Sequence, residues 1–167
     1  MPTPRTAHSA CIAYIAMGSN LGRREQNIAD ALALLAQFST VEAESGLVET
    51  EAVGGPEGQP RYLNGAARIV TELSARELLE RLLKIESQLG RERTLGQRNL
   101  PRTLDLDLLL YGDLRIDEPE AGLQVPHPRM HEREFVLRPL AEIAPEVVHP
   151  VLKKTVKELL ETIRNKP

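Results

Sequence analysis

The run "RTLDLDLLLYGD", residues 102–113, constrains the fold more than any other stretch of the chain. Leu104, Leu106 and Leu108 alternate with Asp105, Asp107 and Leu109. In a β-strand, successive side chains point to opposite faces. The three even-numbered leucines then enter a core, and Asp105 and Asp107 leave together from the other face. Their Cα atoms lie roughly 6.5–7 Å apart in such a strand. Two anions so placed repel, so a fold keeps them where positive charge sits between them.

The rest of the chain bounds what surrounds that strand. Its 167 residues suit one domain with a sizeable core. Apolar residues make up 41% and charged residues 27%, the balance of an ordinary water-soluble fold, and the net charge is −3. An acidic balance argues against a general binder of nucleic acid or of anionic membranes, both of which need a basic surface. No apolar run approaches the ~20 residues of a membrane span. The opening "MPTPRTAHSAC" lacks the apolar stretch of a secretory signal. Cys11 is the single cysteine, which fits a reducing cytoplasm.

Periodicity gives the order of elements. Residues 1–10 read as a flexible tail and 11–167 as the folded domain. "CIAYIAMG" (11–18) reads as a strand; "SNLGRREQN" (19–27) turns into a helix that 27–38 continues, with Ser19 or Asn20 as its cap. Residues 40–50 read as one strand, 51–60 as a Gly- and Pro-rich loop, and 61–73 as another strand. A helix follows from Ser74 to Gly90, and Ser74 and Glu77 have capping-box spacing. Residues 91–101 form a charged loop before the aspartate strand. One or two short helices lie within 126–145, and an amphipathic helix over 155–165. The order β-α-β-β-α-β with C-terminal additions fits an α+β sandwich, with antiparallel strands and helices on one face or both.

Arg91, Arg93, Arg98 and Arg102 precede the aspartates. Arginine forks grip phosphate oxygens in pairs, and two carboxylates offer the hard oxygens that Mg²⁺ takes. Together these are the parts of a phosphoryl-transfer site. Spacing alone leaves a second reading open, in which the aspartates form surface ion pairs worth ~0–1 kcal/mol each. The chain has no G-x-x-x-x-G-K-[ST], so the phosphate site is not a P-loop. In "VPHPRMHERE", His127 and His131 stand four apart, but the H-E-x-x-H pattern of zinc enzymes is absent. His131 reads as a partly exposed loop histidine.

The segments "AYIAMGSNLG" (13–22), "YLNGAA" (62–67), "RTLDLDLLLYGD" and "VPHPRMHEREFVLRPLAEIAP" (125–145) come in the order and spacing of one family. Over roughly residues 12–160, the chain resembles the 6-hydroxymethyl-7,8-dihydropterin pyrophosphokinases of folate biosynthesis. The resemblance implies a ferredoxin-like α+β sandwich. It also implies transfer of the terminal pyrophosphate of ATP to the hydroxymethyl oxygen of the pterin, leaving AMP. Two Mg²⁺ ions are implied, held by Asp105 and Asp107, with Arg91 and Arg102 completing the catalytic set. The matching ATP contacts are Glu86, Arg91, Arg93 and Arg102, then Leu108, His127 and Arg133. The matching pterin contacts are the aromatic walls Tyr62 and Phe135, with Asn64, Thr50, Val53 and Asp105. The implied partners are these two small molecules, with no nucleic acid or membrane, for a monomer in the cytoplasm. The chain departs from frequent family residues at Val48, Ala52, Asn99, Leu100 and Gly122. Rival readings are another metal-dependent phosphoryl or nucleotidyl transferase, and a non-catalytic ligand-binding domain.

Overall fold

A computed structural model describes residues 9–55, 57–90 and 103–167. The strands are β1 (Cys11–Ser19), β2 (Thr40–Glu44), β3 (Val48–Thr50), β4 (Tyr62–Thr71), β5 (Asp105–Tyr111), β6 (Ile116–Glu118) and β7 (Leu123–Val125). The helices are α1 (Arg24–Leu35), α2 (Ala75–Gln88), α3 (Glu134–Ile143) and α4 (Val156–Arg164). The main sheet runs β2-β4-β1-β5, with β3 also paired to β4, and each pairing is antiparallel. That order is the ferredoxin-like one, with β2 and β3 sharing the place of a single strand.

Alternation along the strands builds two cores. Ile15, Ile69, Leu104, Leu106 and Leu108 pack on the face covered by α1 and α2. Tyr14, Ala66 and Leu109 pack on the other face with Leu137 of α3 and Leu160 of α4. The helices turn their apolar stripes inward at 3.6-residue spacing: Ile28, Ala31 and Leu35 on α1, Leu78, Leu82 and Ile85 on α2. The expected direction of the three leucines therefore holds. The pairing of β1 with β5 slips between Tyr14 and Ile15, so Leu109 is an extra residue. This bulge sends Leu109 and Leu110 both to the α3–α4 face and returns Tyr111 to the first core. The Tyr111 hydroxyl there donates to the Leu73 carbonyl at 2.6 Å.

Several local expectations need correction. The 40–50 strand is two strands, broken at Ser45-Gly46-Leu47. Ser45 Oγ accepts from the Ala66 amide at 2.8 Å, and Glu142 of α3 accepts from the Gly46 amide at 2.9 Å. A side-chain oxygen thus replaces a ladder partner, and the strand bends there. Helix α1 starts at Arg24, within the 19–27 turn into the helix, but neither Ser19 nor Asn20 caps it. Both are fully buried and tie loops instead: Ser19 Oγ donates to the Thr103 carbonyl at 2.5 Å. The β6–β7 hairpin was not expected, since three-residue strands around Pro119 and Gly122 give too little alternation to read. The Ser74–Glu77 capping box is present in both directions, at 3.1 and 2.8 Å. Residues 1–8 of the expected tail lie outside the described residues.

Candidate active site

A cleft of about 1340 Å³ opens on the α3–α4 face and wraps around edge strand β5. Strand register sets its floor. Asp105 of β5 lies opposite Gly18 of β1, and Gly18 lies opposite Asn64 of β4. Asp107 lies opposite Ala16 in the next row. Adjacent strands are about 4.8 Å apart, so Asp105 and Asn64 face the same space about 10 Å from each other. Gly18 carries no side chain between them; a Cβ there would stand 3.5 Å from Asn64 Oδ1 and from the Tyr62 ring. Both aspartates are half-buried and line the cleft.

At the Asn64 end, the polar side chain is oriented by its neighbours. Asn64 is 6% exposed, and its Nδ2 donates to Thr50 Oγ1 at 2.7 Å. Tyr62 lies beside Asn64, and Phe135 lines the same cleft from the first turn of α3. Arg133 lies over the Phe135 ring at 5.7 Å. Val53 is on the rim and 71% exposed.

The β7–α3 segment carries the cations. The His127 amide donates to the Leu109 carbonyl at 2.9 Å, which docks this segment on the outer edge of β5. His127 Nδ1 accepts from the Arg129 amide at 3.2 Å, so a neutral ring carries its proton on Nε2. Burial pushes the His127 pKa down to about 4, with the Arg133 charge acting in the same direction and Asp105 against it. The imidazole is therefore neutral at pH 7 and offers one N–H. His131 is partly exposed as expected, but it sits in a 3-10 turn (Met130–Glu132), not a loop, and stacks edge-on with His149 at 6.2 Å instead of joining His127.

Around the edge of β5, the cleft continues onto the α2 side. Glu86, 3% exposed, and Leu108 line it there. The expected residues Asp105, Asp107, Glu86, Leu108, His127, Arg133, Thr50, Val53, Tyr62, Asn64 and Phe135 thus share one cleft. Arg91, Arg93, Arg98 and Arg102, with Asn99 and Leu100, lie outside the described residues. Arg129 and Arg138 line the cleft without having been singled out as ligand contacts. Arg138 stands one helical turn after Phe135, and that i, i+3 spacing was the available signal. Gly122 has φ 70°, a left-handed conformation in which a longer basic residue would be strained. That accounts for one departure from the family pattern.

Among the described residues, no group of three or more His, Cys, Asp or Glu is placed to cage a metal. Two carboxylates suffice for Mg²⁺ when substrate phosphates and water complete its six positions. The donor set at Asp105 and Asp107 is of that kind. A carboxylate pair beside converging arginines is the equipment of a phosphoryl-transfer enzyme.

Comparison with known proteins narrows that class. The family model for 7,8-dihydro-6-hydroxymethylpterin-pyrophosphokinase matches residues 14–145. A 2-amino-4-hydroxy-6-hydroxymethyldihydropteridine pyrophosphokinase of Synechocystis is 42% identical over 162 residues, covering 96% of this chain and 78% of its own. The Bacillus subtilis protein of the same name is 50% identical over 138 residues, covering 81% and 80%. The wild-type HPPK-DHPS crystal structure of Plasmodium falciparum aligns over 94% of this chain with a TM-score of 0.71 at 14% identity. This chain spans 45% of that one, and the likeness speaks for the fold alone. The chain belongs to the 7,8-dihydro-6-hydroxymethylpterin pyrophosphokinase family. It is an ATP-dependent enzyme that transfers pyrophosphate to hydroxymethyldihydropterin in folate biosynthesis.

Proposed function

We propose that the described cleft performs this transfer with Asp105 and Asp107 as the metal-binding pair and the Asn64 end as the pterin site. The observation that carries the reading is the shared floor: two carboxylates on one strand face, with Asn64 and Tyr62 two strands away in the same cleft. In the reaction, the hydroxymethyl oxygen bonds to the β-phosphorus of ATP. The bond from that phosphorus to the α–β bridging oxygen breaks, and AMP leaves. Asp105 and Asp107 would hold two Mg²⁺ ions. When bound, Mg²⁺ offsets phosphate charge and eases ionisation of the hydroxyl group.

The chain's own residues bind and orient. Asn64, fixed by Thr50, hydrogen-bonds the pterin edge, with backbone near Thr50 and Val53 completing the set. Tyr62 and Phe135 stack on the heterocycle, worth ~0.5–1.5 kcal/mol beyond burial. Neutral His127 donates from Nε2 to a phosphate oxygen, and Arg133 adds charge. Leu108 and Glu86 lie on the nucleotide side. Arg91, Arg93 and Arg102 join the phosphates from the 91–102 segment, with Arg91 and Arg102 in the catalytic set. The proposed state is a monomer. The proposed location is the cytoplasm; no helix among the described residues is long and apolar enough to cross a membrane.

The test is AMP release from ATP and hydroxymethyldihydropterin. Asp105→Asn and Asp107→Asn each lower turnover by about 10³-fold or more, on the order of 4 kcal/mol in the barrier. Full turnover in both variants would overturn the assignment.

A further inference from the structure

Arg24, the first residue of α1, lies behind the pterin end of the cleft and not in it. Its Nη1 donates to Glu49 Oε1 at 2.9 Å and to the Arg61 carbonyl at 2.7 Å. Glu49 is the middle residue of β3, and Arg61 immediately precedes β4. One guanidinium therefore grips both ends of the connection between these strands, from a third segment of the chain.

Strand alternation shows what this grip controls. Glu49 pairs with Leu63, whose side chain joins the core under α1 and α2. Thr50 pairs with Tyr62, and both line the cleft on the opposite face. Arg24 thus holds the rear of a strand pair whose front carries two of the proposed pterin contacts. A second tie comes from the same β1–α1 junction. Asn20, fully buried, donates through Nδ2 to the Pro60 carbonyl at 3.1 Å and to Gln59 Oε1 at 3.3 Å. Gln59 in turn donates to the Gly54 carbonyl at 3.0 Å. Each tie has one end within two residues of Tyr62, at Arg61 and at Pro60.

We propose that Arg24 is a positioning residue for pterin binding: by bridging Glu49 and the Arg61 carbonyl, it fixes Thr50 against Tyr62. It sets affinity for the pterin and leaves affinity for ATP alone. This rests on the reading of Tyr62, Asn64 and Thr50 as the pterin end.

The test measures dissociation constants of hydroxymethyldihydropterin, with a non-hydrolysable ATP analogue and Mg²⁺ present, and of the analogue by itself with Mg²⁺. Arg24→Ala, Arg24→Lys, Glu49→Gln and Asn64→Ala are compared with the unaltered enzyme. Loss of two charge-assisted hydrogen bonds at a partly exposed site predicts roughly threefold to tenfold weaker pterin binding in Arg24→Ala. Analogue binding stays unchanged. Arg24→Lys, which keeps the charge and several donors, recovers most of the loss, and Glu49→Gln falls between. Hydrogen exchange quickens at the β3–β4 ladder and not at the β1–β5 ladder. If Asn64→Ala weakens the pterin while Arg24→Ala and Glu49→Gln do not, the role of Arg24 is overturned and the pterin site stands. If Asn64→Ala leaves pterin affinity intact, the pterin site itself falls. Equal losses for pterin and analogue in Arg24→Ala would also overturn the proposal, as general damage to the fold.

Discussion

His127 shows how much a single side chain's surroundings decide. Its pKa lies near 4 instead of 6.5, chiefly through burial, with Arg133 adding to the effect. Well above pH 6.5 the ring is neutral in the folded and unfolded chains, and the shift has almost no effect on stability. Between 6.5 and 4 the unfolded chain binds a proton that the folded chain refuses. Stability therefore falls as pH drops through that window. His127→Gln removes this contribution, so its urea midpoint loses less than that of the unaltered protein between pH 7 and pH 4.5. Parallel losses in the two proteins would show that His127 is not buried as described. The aspartate pair was legible because alternation is a local rule: Leu104, Leu106 and Leu108 point into the core, and Asp105 and Asp107 follow to the other face. The state of His127 was not legible, because it depends on Arg133 and on the docking of residue 127 against Leu109.

Elements follow the same division between local and distant causes. Ser74 and Glu77 form their capping box as their spacing implied, since both partners sit within one turn. Ser74→Ala should cost about 1 kcal/mol, seen as a lowered thermal midpoint with activity kept below the transition. An unchanged midpoint would contradict the cap's contribution. The break between β2 and β3 was hidden, because its fixing partners Ala66 and Glu142 are far away in sequence. Ser19 and Asn20 looked like caps for the same reason: nothing local reveals that Thr103 and Pro60 need their side chains. The bulge at Leu109 lets one apolar run serve two cores, and sequence alternation alone does not announce it.

At the scale of the molecule, a sheet sandwiched between two helical pairs leaves β5 at an edge, and the cleft wraps around that edge. The fold class was legible from element order, and the helices do cover both faces. The chain's net charge of −3 hides the local arrangement, in which Arg129, Arg133 and Arg138 converge on a cleft floored by two carboxylates. On the proposed reading, such a site binds a polyphosphate well only when a divalent cation lies between phosphates and carboxylates. The decisive measurement is calorimetric titration of a non-hydrolysable ATP analogue into the unaltered protein and into a variant carrying Asp105→Asn and Asp107→Asn, each with and without Mg²⁺. The account predicts that Mg²⁺ tightens binding to the unaltered protein by about 100-fold, near 2.7 kcal/mol, and gives the variant almost none of that gain. The same Mg²⁺ enhancement in both proteins would contradict it.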